Sequence, residues 1–95
     1  EMVRAESQSR LLRRLLASKW PITEHERGLL RKGRNAAGRG PPRLARGAYG
    51  EASGLEALLG YLYLADRPRL EGLLLACSDL DDPTPRPEDE VLIEW

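Results

Sequence analysis

Residues 52–64, Ala-Ser-Gly-Leu-Glu-Ala-Leu-Leu-Gly-Tyr-Leu-Tyr-Leu, are the most apolar stretch of the chain and carry one acid in their middle. Wound as an α-helix, Leu55, Leu58, Leu59 and Leu62 fall at i, i+3, i+4 and i+7, a stripe that other elements must cover. At about 100° per residue, Glu56 lies beside that stripe and shares its flank with Ser53, Gly60 and Tyr63. A carboxylate at the boundary of a core needs a cation or a hydrogen-bond donor. Two readings follow: Glu56 pairs with an arginine from another helix, or it holds a metal ion, and structural ion pairs are the commoner of the two.

The rest of the chain supports an all-α fold. It has 95 residues and no phenylalanine, so one small domain must build its core from leucine and alanine, which favours helices over sheet. Leu11, Leu12, Leu15 and Leu16 repeat at helical spacing from about Val3 to Lys19, with Arg10, Arg13 and Arg14 on the outer face. Pro21 ends that helix. Thr23 with Glu26 three residues on predicts a capping box, opening a second helix from about Glu24 to Ala37 anchored by Leu29 and Leu30. Gly38-Arg39-Gly40-Pro41-Pro42 breaks it, and the glycines through Gly50 mark residues 38–50 as a loop. A third helix is expected from about Ala48 to Ala65. Arg67-Pro68 starts a fourth, with Leu70, Leu73, Leu74 and Cys77 on its apolar side. The domain is expected to span 1–78, followed by an acidic, proline-rich tail at 79–95, extended or disordered through 81–87, whose end, Val91 to Trp95, is apolar enough to dock.

Charge is distributed unevenly. The chain is formally neutral, yet the tail carries seven acids against Arg86, a net of −6 that leaves the first 78 residues at +6. Residues 27–46 hold Arg27, Arg31, Lys32, Arg34, Arg39, Arg43 and Arg46 with no acid among them. Cations split between a helix end and a loop suit phosphate contacts, and equally suit a solvated face. No aromatic residues lie between them, which points to double-stranded or structured nucleic acid rather than stacked single strands. The absence of an apolar run of membrane-spanning length, together with the single cysteine, Cys77, fits a soluble chain in the reducing cytoplasm.

Other chemistries are poorly served. Gly33 and Gly38 have phosphate-loop separation, but Arg39-Gly40 stands where lysine and a hydroxyl belong. His25 and Cys77 sit on different elements and are too few for a zinc site. A hydrolase triad lacks a histidine to spare, and His25 reads as a solvated surface residue.

Two motifs in order, Arg31-Lys32-Gly33-Arg34-Asn35-Ala36 and then residues 52–64 after a basic loop and Tyr49, closely resemble the C-terminal half of the mini-ribonuclease III family. The helix around Ala5-Glu6-Ser7-Gln8 fits the same family, and the likeness covers about residues 3–78. It implies an all-helical ribonuclease III fold, incomplete at its N-terminus, without a separate double-stranded-RNA-binding domain. It also implies a homodimer and a Mg²⁺-dependent endoribonuclease acting on structured RNA, typically in ribosomal RNA maturation.

By this resemblance Glu56 matches the family's metal-coordinating, catalytic glutamate, which favours the ligand reading over the ion pair. Other ribonuclease III enzymes carry an aspartate three residues earlier, where this chain has Ser53; mini enzymes commonly have a hydroxyl there. Arg34 and Asn35 match the family's Arg-Asn motif, and Arg31, Lys32, Arg39, Arg43 and Arg46 complete the expected RNA-binding set. The Gly-Asp-Ala signature with the family's catalytic aspartate is not found in these residues. One glutamate cannot hold the metal by itself, so the resemblance implies that this chain alone is inactive unless the missing part comes from an upstream segment or another chain. The alternative is a non-catalytic RNA-binding or ribosome-associated helical module.

Overall fold

The computed structural model describes residues 4–38 and 47–95. Four helices follow one another: α1 (Arg4–Ala17), α2 (Glu24–Ala37), α3 (Ala48–Ala65) and α4 (Arg67–Leu80), with a short 3₁₀ turn at Pro87–Glu90. No strand occurs among the described residues. Helix α3 lies at the centre and packs against the other three.

Local chemistry sets the helix ends. The Thr23 hydroxyl accepts the Glu26 amide at 3.1 Å, and the Glu26 carboxylate accepts the Thr23 amide at 2.9 Å, closing the expected box. Gly38 ends α2 in a conformation with φ +73°, open to glycine at no steric cost. Asp66 caps α4 by accepting the Arg69 amide, with Pro68 in the first turn where its missing N–H is harmless. Helix α1 stops at Ala17 rather than near Lys19, because the Ser18 hydroxyl turns back onto the Leu15 carbonyl at 2.6 Å and then accepts the Trp20 amide. The expected start at Val3 and the loop residues 39–46 lie outside the described residues. Ala48, Tyr49 and Gly50, read both as loop and as helix start, belong to α3.

Leu12 and Leu15 from α1, Leu30 from α2, Leu55, Leu58 and Leu62 from α3, and Leu73 with Cys77 from α4 form one buried cluster. Each such leucine contributes about 1.5–3 kcal/mol of transfer free energy relative to exposure. Leu11, Leu16, Leu29, Leu59 and Leu70 pack around them half-buried. Leu74 departs from the expectation and is half exposed, because Leu73 and Cys77, four apart, take the core side of α4. Burial pushes the Cys77 thiol up from its ordinary range.

Two corrections concern charge. Arg13 and Arg14, expected on the basic outer face of α1, are instead covered: Arg14 is buried and Arg13 nearly so. The cover is the tail, which folds back across α1 instead of running extended. Arg14 Nε and Nη2 each reach the Asp89 carboxylate at 2.8 Å, and its remaining N–H groups meet the carbonyls of Leu80, Asp82 and Thr84. The chain then passes over α1 and α2, where Ile93 and Trp95 pack against the core cluster.

Candidate functional site

The site is built on the crossing of α2 and α3, and two glycines allow the crossing. A Cβ on Gly33 would stand 2.8 Å from the Gly54 Cα, the Ser53 carbonyl oxygen and the Ala57 Cβ. One on Gly54 would stand 2.6 Å from the Leu30 carbonyl oxygen. Backbone atoms and an alanine Cβ cannot swing aside, so the two helices approach at a distance only glycine permits. Farther along the same seam, the exposed His25 meets Tyr61 edge to face at 5.1 Å. This seam fixes the basic end of α2 against the Ser53–Glu56 turn of α3.

On α3 the two acids exchange the roles foreseen for one. Glu56 is exposed, with Gly60 and Tyr63 exposed on the same flank and Ser53 half-buried. The partly desolvated carboxylate at the core boundary is Glu51, which is 2% exposed. It accepts the Ser9 hydroxyl and a two-pronged bond from Arg13 of α1, Nε to Oε1 at 2.9 Å and Nη2 to Oε2 at 3.2 Å. The structural ion pair weighed for Glu56 therefore exists one and a half turns earlier. Glu51, Leu55, Leu58 and Leu62 are spaced i, i+4, i+7 and i+11, so the signal was present: this acid lies on the leucine stripe itself, and Glu56 does not. Glu56 is left as a carboxylate offered to solvent.

On α2, Arg31, Lys32 and Asn35 are exposed, and Arg34 is half-buried. The Arg34 stem runs over Gly50, where a Cβ would stand 2.8 Å from its Cγ, and its Nε donates to Asn35 Oδ1 at 3.1 Å. Its guanidinium carbon lies 4.7 Å from the centre of the Trp95 ring. Arg39, Arg43 and Arg46 lie outside the described residues. A second buried acid, Glu26, is bound by the Arg69 guanidinium, which stacks on Trp20 at 4.5 Å. Arg69 and the Thr23 amide hold the Glu26 carboxyl below its usual range, with a purely structural effect.

Among the described residues no group of three or more histidine, cysteine, aspartate or glutamate side chains is placed to hold a metal ion. A hard dication such as Mg²⁺ needs several oxygen ligands, so these residues by themselves do not fit one.

The profile of the Ribonuclease III domain matches residues 1–67, well over half of the sequence. The chain belongs to the ribonuclease III family. It is similar to mini-ribonuclease 3 of Synechococcus sp., 54% identical over 72 residues, which are 76% of this chain and 50% of that protein. The mini-ribonuclease 3 of Synechocystis sp. is 48% identical over 84 residues, 88% of this chain and 56% of the relative. That of Gloeobacter violaceus is 43% identical over 90 residues, 90% and 64% of the two chains. This ribonuclease III chain thus spans about half the length of the curated relatives it matches. No solved structure matches it at a significant level. No helix among the described residues is long and apolar enough to cross a membrane.

Proposed function

We propose that this chain supplies part of an endoribonuclease site for structured or double-stranded RNA, of the kind that matures ribosomal RNA precursors in the cytoplasm. The observation that carries this reading is the Gly33–Gly54 seam, which holds an exposed carboxylate and a helix end rich in cations in one rigid unit. Arg31, Lys32, Arg34 and Asn35 take the phosphate backbone, joined by Arg39, Arg43 and Arg46. Arg34, with its stem laid over Gly50 and its head bonded to Asn35, has the pre-set fork that recognises phosphate oxygens. Glu56 stands in the role of one oxygen ligand among the several that Mg²⁺ requires. Its companion ligands come from outside the described residues. Leu64 near the end of α3 and Leu74 and Leu75 in the middle of α4 are exposed apolar side chains, which suits a homodimer.

A non-catalytic RNA-binding module is the second reading, favoured by the lack of companion carboxylates around Glu56 among the described residues. The test has two arms. The 95-residue chain should bind duplex RNA with an affinity that falls steeply with salt, and Arg31→Gln with Arg34→Gln should shallow the slope of log K against log salt by about 1.4–1.8, the contribution of two phosphate contacts. Salt-independent binding, or none, contradicts both readings. A chimaera with the N-terminal half of the Synechococcus relative placed before this chain separates them: Mg²⁺-dependent cleavage supports the enzyme, and binding without cleavage supports the module.

A further inference from the structure

Arg27, Arg31 and Arg34 stand at i, i+4 and i+7 of α2 and so form one stripe along it. The end of the tail lies on that stripe. Arg27 and Arg31 line a small hollow together with Ile93, Glu94 and Trp95, and the Trp95 ring faces the Arg34 guanidinium. Ile93 and Trp95 also pack against the leucine core. Glu94 lines the same hollow as Arg27 and Arg31, so the segment sets an acidic residue and an aromatic face beside the stripe where a nucleic acid would offer a phosphate and a base. The segment is anchored upstream by Asp89 on Arg14, while Val91 and Leu92 between anchor and stripe remain exposed.

We propose that residues 91–95 are a displaceable strap, an intramolecular occupant of the Arg27–Arg31–Arg34 stripe that duplex RNA must lift before it binds there. The inference rests on the RNA-binding reading above. Tail and RNA compete for the same guanidinium groups, so the apparent affinity for RNA is the intrinsic one multiplied by the fraction of molecules with the strap open. The Asp89 anchor keeps the lifted strap tethered close by, so it returns when RNA leaves.

The experiment uses the whole 95-residue chain labelled with 5-fluorotryptophan, whose two ¹⁹F resonances report Trp20 and Trp95 separately, assigned with Trp95→Phe. On titration with a 20-base-pair RNA duplex, the Trp95 resonance should move toward its solvent-exposed position while Trp20, stacked on Arg69, stays in place. Trp95→Ala and, independently, Ile93→Ser should each tighten duplex binding by about fivefold to tenfold at fixed salt, with circular dichroism confirming that the helices are retained. Binding with an unmoved Trp95 resonance and unchanged affinity in both variants overturns the strap and leaves the RNA-binding reading intact. Weaker binding in Trp95→Ala also overturns it, since the tail would then be part of the RNA contact. Absence of duplex binding in the parent and in both variants overturns the strap together with the reading beneath it.

Discussion

Arg14 and Asp89 are 75 residues apart in sequence and meet through two parallel N–H···O bonds of 2.8 Å. The three other N–H groups of Arg14 go to tail carbonyls, so all five donors of a buried guanidinium are satisfied by one segment. A buried cation deprived of its counter-charge is expensive, because its desolvation remains after the attraction is gone. Asp89→Ala should therefore destabilise the chain by about 3 kcal/mol, measured by urea unfolding. A change within about 0.5 kcal/mol, the usual effect of a surface substitution, would mean that the tail contributes nothing to the fold.

The glycine seam makes a sharper distinction among glycines than propensity does. Gly54→Ala pushes a methyl against the Leu30 carbonyl and should cost about 1–3 kcal/mol, with α2 displaced from α3. Gly60→Ala, on the same helix with nothing within 4 Å of its added Cβ, should instead stabilise by about 0.5–1 kcal/mol by restricting the unfolded chain. Thermal melts of the two variants move in opposite directions if the helices cross as described.

Acid should undo the two arginine clamps. Hydrogen bonding from Arg69 lowers the Glu26 carboxyl, and hydrogen bonding from Arg14 lowers that of Asp89. A carboxylate depressed in the folded state contributes stability that is complete above its unfolded value, near pH 4, and is lost as pH falls through the folded one. The melting temperature should thus be flat from about pH 7 to 5 with respect to these groups and drop below about pH 4. The combined Glu26→Gln and Asp89→Asn variant should show a lower plateau and a shallower acid limb. An acid limb identical to the parent's would place the pH dependence on other groups.

How far the sequence foretold this arrangement can be read from α2 and α3. Helix α2 begins and ends, and α3 ends, where capping residues and breakers put them, since Thr23, Glu26, Gly38, Asp66 and Pro68 act on neighbours a few residues away. The buried polar groups were not legible in the same way. Arg14 follows Leu12 and precedes Leu15, and only a segment returning from residue 89 makes a covered position of it. Helical phase alone separates Glu51 from Glu56, but choosing between them requires knowing that Ser9 and Arg13 of α1 face the earlier acid. The cation-rich helix end was recognised by composition. The docking of the apolar tail end, Val91 to Trp95, was legible in the same way, but its seat on Arg34 was not, because a cation–π contact across 61 positions leaves no local pattern.

The role assigned to Glu56 is tested most directly by single-turnover cleavage of a duplex RNA, in Mg²⁺, by the Synechococcus chimaera with and without Glu56→Gln. Glu56 is exposed and lies outside the leucine stripe, so the substitution should leave melting temperature and duplex affinity within error of the parent. The cleavage rate should fall by about a hundredfold or more, the loss expected when a carboxylate that helps hold a catalytic metal is neutralised. Cleavage by the Glu56→Gln chimaera at the parent rate would contradict that role and leave α3 as a scaffold for the arginines of α2.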